Sequence, residues 1–255
     1  MIVCKSPAEL ERMRAANALV ADVLAALAGI VAPGVTTKDL DGLAEKLVRE
    51  AGAEPAFKGY RGYPCTLCAS VNEQVVHGIP SARALGEGDI ISLDMGVKLN
   101  GFYGDSAVTV PVGRVSEEAA TLLRVTRESL EKGIAQVRLG GRISDIGHAI
   151  QEHVEAHGFS VVREFVGHGI GSALHEEPQI ANYGEPGRGP RLAEGMTLAI
   201  EPMVNVGRPA VKVLADGWTA VTKDGSLSAH FEHTVAVTRT GPLVLTRGSV
   251  PATAA

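Results

Sequence analysis

Helix-like and strand-like runs of apolar residues alternate along the chain, and turn residues mark each switch. Ser6-Pro7-Ala8-Glu9 has the order of a helix start, with an N-cap hydroxyl, proline at the first helical position and an acid at the third. It predicts a helix running to about Val31 and ended by Pro33-Gly34. Thr36-Thr37-Lys38-Asp39 opens a second helix, ended by Gly52. After the turn-rich Tyr60-Arg61-Gly62-Tyr63-Pro64 comes a strand over about 66–71. Ser116 with Glu117 and Glu118 opens a third helix to about Val137, and Ser144-Asp145 a fourth to about His157. Beyond Gly158, short β-like runs alternate with Gly/Pro loops.

Between these helices lies Ile90 to Val110, IISLDMGVKLNGFYGDSAVTV. Two β-prone runs flank Asn100-Gly101, the strongest short-range hairpin signal. A two-residue turn there puts Leu99 opposite Phe102, Gly96 opposite Asp105 and Asp94 opposite Ala107. Asp94 and Asp105 then share one face as diagonal neighbours, with α-carbons about 7–8 Å apart. That gap is too long for a carboxylate–carboxylate hydrogen bond, and it suits two side chains reaching toward a pair of ions about 3.5–4 Å apart. Gly96 leaves room on that face. Taken alone, the two aspartates read more simply as solvated positions on an exposed sheet.

An internal duplication changes that reading. GVTTKDLDGLAEKLVREAG (Gly34–Gly52) aligns with GGRISDIGHAIQEHVEAHG (Gly140–Gly158), and LGEGDIISLD (Leu85–Asp94) aligns with LAEGMTLAIE (Leu192–Glu201), at offsets that differ by one residue. The second match sets Asp94 on Glu201. The period is far too long for a solenoid. It suggests one helix–helix–strand–strand unit used twice, in halves of about 1–112 and 116–255, forming a single catalytic domain over 1–255 with a site between the halves.

Composition narrows the function. The chain has 255 residues, 45% of them hydrophobic, enough for a sizeable core, and a formal net charge of −5 without blocks of like charge. No basic stripe suggests nucleic-acid binding of its own. The N-terminus carries no signal-peptide apolar region. The most apolar run, Ala18 to Pro33, is interrupted by Asp22 and is too short to span a bilayer, so a cytosolic protein without a membrane is expected. Three cysteines, Cys4, Cys65 and Cys68, argue against a disulfide framework. Cys65-x-x-Cys68 has no second CxxC, and its residues fall on opposite faces of a strand.

The candidate chemistry comes from carboxylates in apolar surroundings. Glu201 lies in MTLAIEPMV, and Pro202 biases it to an extended conformation. Glu232 lies in LSAHFEHTVAV, where Ser228, His230 and Glu232 share a face by period two and His233 points away. His168 sits in the glycine-rich FVGHGIGSALH, seven residues before His175. Asp94, Asp105, Glu201, Glu232 and His168 thus form an oxygen-rich donor set with one imidazole, and no comparable arginines lie in apolar strands to pair with the acids. Such a set suits Mn, Fe, Co or Zn rather than a thiolate structural zinc site. A dinuclear site lowers the pKa of a bridging water, which makes hydrolysis the natural reaction class. His153-x-x-x-His157 lies on a polar helix and reads as solvated. His175-Glu176-Glu177 lacks the second histidine of a zincin, and no P-loop, Rossmann fingerprint or GxSxG elbow is present.

Together, NEQVVHGIP, SLDMGVKLNGFYGDSA, GHGIGSALHEEPQI, AIEPMV and SAHFEHT resemble the type I methionine aminopeptidases over nearly the whole chain. The resemblance implies an α+β pita-bread fold, two pseudo-twofold halves with a curved antiparallel sheet. It implies a dinuclear metal centre in which Asp105 and Glu232 bridge, Asp94 chelates one ion, and His168 and Glu201 complete the other. It further implies that His77 and His175 contact the substrate around the scissile bond and that Glu201 helps shuttle the proton. The implied reaction removes the initiator methionine from nascent chains when the next residue is small.

The implied methionine pocket takes in Tyr60, Tyr63, Cys68 and Trp218, chemistry that suits a thioether. Leu174 stands where many relatives carry an aromatic. Asn72, Gln74 and Ser228 match a site for a monovalent cation, sodium or potassium, found in some relatives. The family suggests a monomer acting on nascent polypeptide N-termini, for which ribosome contact would make sense although no sequence patch points to it. The short Glu201–Glu232 interval leaves no room for the helical insert of type II enzymes, and the start of the chain leaves none for the extra domain of prolidase-like relatives. A pita-bread protein that had lost catalysis and become a binding module would be expected to lack metal ligands.

Overall fold

The computed structural model describes residues 1–247; the last eight positions of the expected 1–255 unit lie outside the described residues. Its helices are α1 (Pro7–Ile30), α2 (Thr37–Glu50), α3 (Glu117–Ile134) and α4 (Ile143–Ala156). The start of α1 forms as expected. The Ser6 hydroxyl accepts from the Glu9 N–H, and the Glu9 carboxylate accepts from the Ser6 N–H at 2.8 Å. Thr36 and Asp39 repeat this reciprocal cap on α2. At α4 the expectation is off by two residues. Arg142 is the N-cap residue and its N–H is held by Asp145, while the Ser144 hydroxyl accepts from the N–H of Arg188.

A nine-stranded antiparallel sheet carries the rest. In chain order its strands are β1 (Glu54–Pro55), β2 (Cys68–Val71), β3 (Ile90–Leu99), β4 (Phe102–Pro111), β5 (Gly167–Gly169), β6 (Glu176–Ile180), β7 (Thr197–Ile200), β8 (Glu232–Thr238) and β9 (Gly241–Val244). They lie in the order β1-β3-β4-β8-β7-β5-β6, with β2 also on β3 and β9 also on β8. Two three-stranded sheets flank it, one of Ser160–Val161, Met203–Asn205 and Ser228–His230, the other of Gln74–Val76, Val211–Val213 and Ala220–Thr222.

The hairpin register is the one counted from Asn100-Gly101. Leu99 pairs with Phe102, Gly96 with Asp105, and Asp94 with Ala107. Asn100 (φ 53°) and Gly101 (φ 82°) both take positive φ, as a type I′ turn requires.

The duplication is visible in the backbone. α2 and α4 each have 14 residues, at starts 37 and 143. Isolated bridges join Thr36 to Ala84 and Arg142 to Arg191 at corresponding places. Gly52 and Gly158, which follow the two helices, share left-handed φ values of 72° and 79°.

α1 is long and apolar enough, by length and composition, to cross a bilayer, contrary to the estimate from the Ala18–Pro33 run. Here it is a core helix. Ala16, Val20, Leu24 and Leu27 pack with Ile91, Leu93, Met95 and Val97 of β3. A second core joins α3 and α4 to β7 and β8 through Leu122, Ile146, Ile150, Leu198 and Val235. α1 lies close against the hairpin at Gly104, where a β-carbon would lie 2.8 Å from the Ala16 carbonyl carbon. Gly104→Ala is therefore expected to lower stability by about 1–3 kcal/mol, the range for forcing atoms into a filled core. Urea denaturation checks this, and an unchanged midpoint would show that α1 can lift at no cost.

Candidate metal centre and adjoining pocket

Strand pairing alone gathers the acidic residues. Residues directly opposite one another in an antiparallel pair share a face. Asp94 of β3 faces Cys68 of β2 on one side and Ala107 of β4 on the other, and Ala107 faces Glu232 of β8. Thr234, two residues after Glu232, faces Ala199 of β7, which faces His168 of β5. Glu201 follows Ala199 by two, and Asp105 precedes Ala107 by two. Cys68, Asp94, Asp105, His168, Glu201 and Glu232 therefore belong to a single sheet face, drawn from both halves of the chain.

The backbone of this row is pinned. The Ser106 hydroxyl donates to the Glu232 carbonyl at 2.6 Å, and the Thr234 hydroxyl to the Asp105 carbonyl at 2.8 Å. The space at Gly96 is filled rather than open. A β-carbon there would come 3.0 Å from the Phe57 ring, which lines the pocket.

All twelve residues expected at the metal centre and methionine pocket line one cavity: Tyr60, Tyr63, Cys68, His77, Asp94, Asp105, His168, Leu174, His175, Glu201, Trp218 and Glu232. Its apolar wall is aromatic. The Tyr63 and Trp218 rings meet edge-on at 5.2 Å, and His77 packs edge-on against Phe165 and Trp218. His77 is held at φ 61°, a strained value for a non-glycine residue of the kind that gathers at functional sites. His175 stacks on Tyr60, exchanges a 2.9 Å hydrogen bond with its hydroxyl, and lies 4.2 Å from the His168 ring.

Of the expected monovalent-cation residues, Asn72 and Ser228 are neighbours, the Ser228 N–H donating to the Asn72 carbonyl. Their side-chain oxygens are already bonded within the protein. Asn72 Oδ1 accepts from the Ile90 N–H, and the Ser228 hydroxyl meets Asn205 Oδ1 and the Val204 carbonyl. Gln74 Oε1 accepts from the Val71 N–H.

The electrostatics ask for cations. Asp105 is 4% exposed and Glu232 2%, and one oxygen of each (Oδ1 and Oε1) has no hydrogen-bond partner among the described residues. Among the described residues the nearest cationic candidates are histidines. His168 Nε2 lies 3.6 Å from Glu201 and 3.9 Å from Asp105, and His230 Nε2 lies 3.9 Å from Asp94. Burial keeps those rings neutral, pushing His168 and His230 each down to about 4. Burial likewise pushes Asp94 up to about 7, and it raises Asp105, Glu201 and Glu232 well above the carboxylate range, with the neighbouring acids adding to the shift. Four such carboxylates cannot be charged together without counter-charge. Two triads fit a divalent ion each, Asp94-His230-Glu232 and Asp105-His168-Glu232, with donor atoms within 4.8 Å of one another. The donors are all oxygen and imidazole nitrogen, the mixture that borderline divalent metals prefer.

Sequence reasoning did not single out Phe57, Arg61 or His230 for the site. Phe57 and Arg61 line the cavity from a loop and a single 3₁₀ turn (Tyr60–Gly62), too short for a period to reveal them. His230 shares the period-two row of Glu232, a signal that was present. A further group, Glu128, His153 and His157, sits on the outer faces of α3 and α4, where Glu128 is already gripped by Arg124 at 3.0 Å.

A family model, metallopeptidase family M24, matches residues 11–239. Methionine aminopeptidase 1 of Bacillus subtilis is 56% identical over 247 residues, covering 97% of this chain and 100% of that protein. Methionine aminopeptidase 1 of Mycobacterium tuberculosis is 48% identical, covering 96% and 94%. The crystal structure of methionine aminopeptidase from Thermotoga maritima superposes with a TM-score of 0.95 at 51% identity, over 96% of this chain and 99% of that one. Prolidase from Pyrococcus furiosus, at 22% identity and a TM-score of 0.79, shares the fold over 66% of its own length.

A pH prediction follows from the buried acids. In the ion-free protein the folded state keeps protons that an unfolded carboxylate, with a pKa near 4, has released. That contribution to stability is present at low pH and lost as pH rises through the raised values. The buried histidines act oppositely, but only below about pH 6.5, where an unfolded histidine still takes up a proton. Between about pH 7 and 8 the carboxylates decide, so the urea midpoint of chelator-stripped protein should fall as pH rises, with a shallower fall in Asp105→Asn. A midpoint that stays level over that range would contradict the charge state inferred for the cluster.

Proposed function

The chain belongs to metallopeptidase family M24, as a type I methionine aminopeptidase of pita-bread fold, and from that premise we propose how its own residues divide the work. The protein is a metal-dependent aminopeptidase that removes the initiator methionine of proteins when the second residue is small. The observation that carries this reading is a single cavity in which buried carboxylates, with no lysine or arginine paired to them among the described residues, and a histidine adjoin an aromatic and thiol-lined pocket.

We assign the divalent ions, from among Co, Mn, Fe and Zn, to Asp94, Asp105, His168, Glu201 and Glu232, with Asp105 and Glu232 shared between two positions. Bound there, the ions would supply Lewis acidity, polarising the scissile carbonyl and making an attacking water acidic near neutral pH. The protein's own groups do the rest. Tyr60, Tyr63, Cys68, Leu174 and Trp218 receive the methionine side chain and exclude water from it. The Cys68 thiol is pushed up by burial and stays protonated, so it offers soft, uncharged surface to a thioether. His77, pushed down to about 4 by burial, and His175, also lowered by burial, remain neutral at working pH. They serve as hydrogen-bonding groups around the scissile bond rather than as fixed charges. Glu201, whose carboxyl is raised by burial, can hold a proton and hand it to the departing amine nitrogen.

The two halves of the chain act as one catalytic unit, since each supplies part of the site. The substrates are nascent polypeptide N-termini, which places the enzyme in the cytosol, working as a monomer within reach of the ribosome. A monovalent cation at the Asn72–Ser228 junction would be held by main-chain carbonyls, the side-chain oxygens there being engaged.

Asp105→Asn and Glu232→Gln are each expected to lower methionine release from a Met-Ala-Ser peptide by more than about 100-fold, beyond the loss usual for an outer-shell partner. Turnover retained in metal-replete buffer would refute the shared-carboxylate assignment. His77→Ala is expected to fold and bind divalent ions normally while losing about 10²–10³ of the rate, the scale of one lost polarising hydrogen bond. Loss of metal in that variant would move His77 into the metal centre. Absence of methionine release by the unaltered protein at every metal concentration would make the chain a binding protein on an enzyme's fold.

A further inference from the structure

His230 is buried (1% exposed), and its ring is built like that of His168. In His168, Nδ1 faces the Gly169 carbonyl at 2.8 Å and Nε2 points at Glu201 and Asp105. In His230, Nδ1 faces the Pro202 carbonyl at 3.3 Å and Nε2 points at Asp94, 3.9 Å away. A carbonyl can only accept, so the proton of a neutral ring lies on Nδ1 and the lone pair on Nε2. The His230 lone pair is thus aimed at a carboxylate, with no hydrogen-bond donor among the described residues to meet it.

Two lone-pair groups facing each other in a buried site repel unless a proton or cation lies between them. A ring Nδ1–H fixed by a main-chain carbonyl, with Nε2 free, is the arrangement that orients metal-ligating histidines. The backbone of His230 is also held. Its N–H donates to the Thr109 hydroxyl at 2.8 Å, and its carbonyl accepts from the same hydroxyl at 2.7 Å.

We propose that His230 is a sixth metal-facing donor, which binds through Nε2 the ion held by Asp94 and Glu232. The inference rests on the dinuclear reading above. It gives each ion one imidazole, His168 for one and His230 for the other, with Glu232 common to both. The Asp94 position then prefers metals that accept nitrogen, such as Zn²⁺ or Co²⁺, over an oxygen-seeking ion such as Mg²⁺.

The test is a Zn²⁺ titration of the chelator-stripped, ¹⁵N-histidine-labelled protein, read by NMR, with stoichiometry and affinity from calorimetry. Two equivalents are expected, and the unprotonated Nε2 resonances of both His168 and His230 should shift. His230→Ala should weaken one equivalent by about 10–100-fold and leave the other in place. Two equivalents bound with the His230 resonance unmoved would overturn this proposal and leave the dinuclear reading intact. A protein that binds no Zn²⁺ would overturn both. The NMR readout uses the unaltered chain, so it stands even if His230→Ala folds poorly.

Discussion

Like charge in a confined space governs this molecule. Asp94, Asp105, Glu201 and Glu232 emerge on one sheet face with no lysine or arginine within ion-pairing distance among the described residues. A fold that buries four acids together is stable in only two ways, with the acids protonated or with cations among them. The rest of the architecture follows from that requirement. The hairpin turn fixes which residues share the face, the two apolar cores hold the sheet from both flanks, and the hydroxyls of Ser106 and Thr234 lock the strands that carry the acids. Ionising the four acids together would require cations among them, and that requirement is what makes the cluster suited to divalent ions.

Much of this was legible in the sequence because two signals could be read without the tertiary fold. Asn100-Gly101 set the hairpin register, and an antiparallel register determines faces without any knowledge of the tertiary fold. The matched segments then tied Asp94 to Glu201, and the correspondence reappears as equal helices, equal bridges and equal left-handed glycines. What stayed hidden depended on contacts between distant segments. The Phe57 ring sits against Gly96, 39 positions along the chain, where a β-carbon would crowd it. The cap of α4 falls on Arg142, whose N–H Asp145 holds, while the Ser144 hydroxyl is engaged by the loop at Arg188. Neither fact leaves a periodic trace. His230 is the instructive case. It lay in the right row, two residues before Glu232, but the row contains a break at Phe231 between two sheets, and only the fold shows that both side chains still reach the same cavity.

The length of α1 illustrates a different limit. Its composition passes for a membrane span, and only its packing against the hairpin identifies it as a core helix. Apolar content states how much surface must leave water, while the partner that covers it is a property of the whole chain.

Asp94, Asp105, His168 and Glu232 stand on strands whose spacing is set by main-chain hydrogen bonds, as does Cys68 on the neighbouring β2, whereas Tyr60, Tyr63, Leu174, His175 and Trp218 stand on turns and connections outside the main sheet. The acid cluster and most of the aromatic pocket wall therefore rest on mechanically different parts of the molecule. Substitutions in the connections can reshape that wall without disturbing the ladder that sets the spacing of the acids.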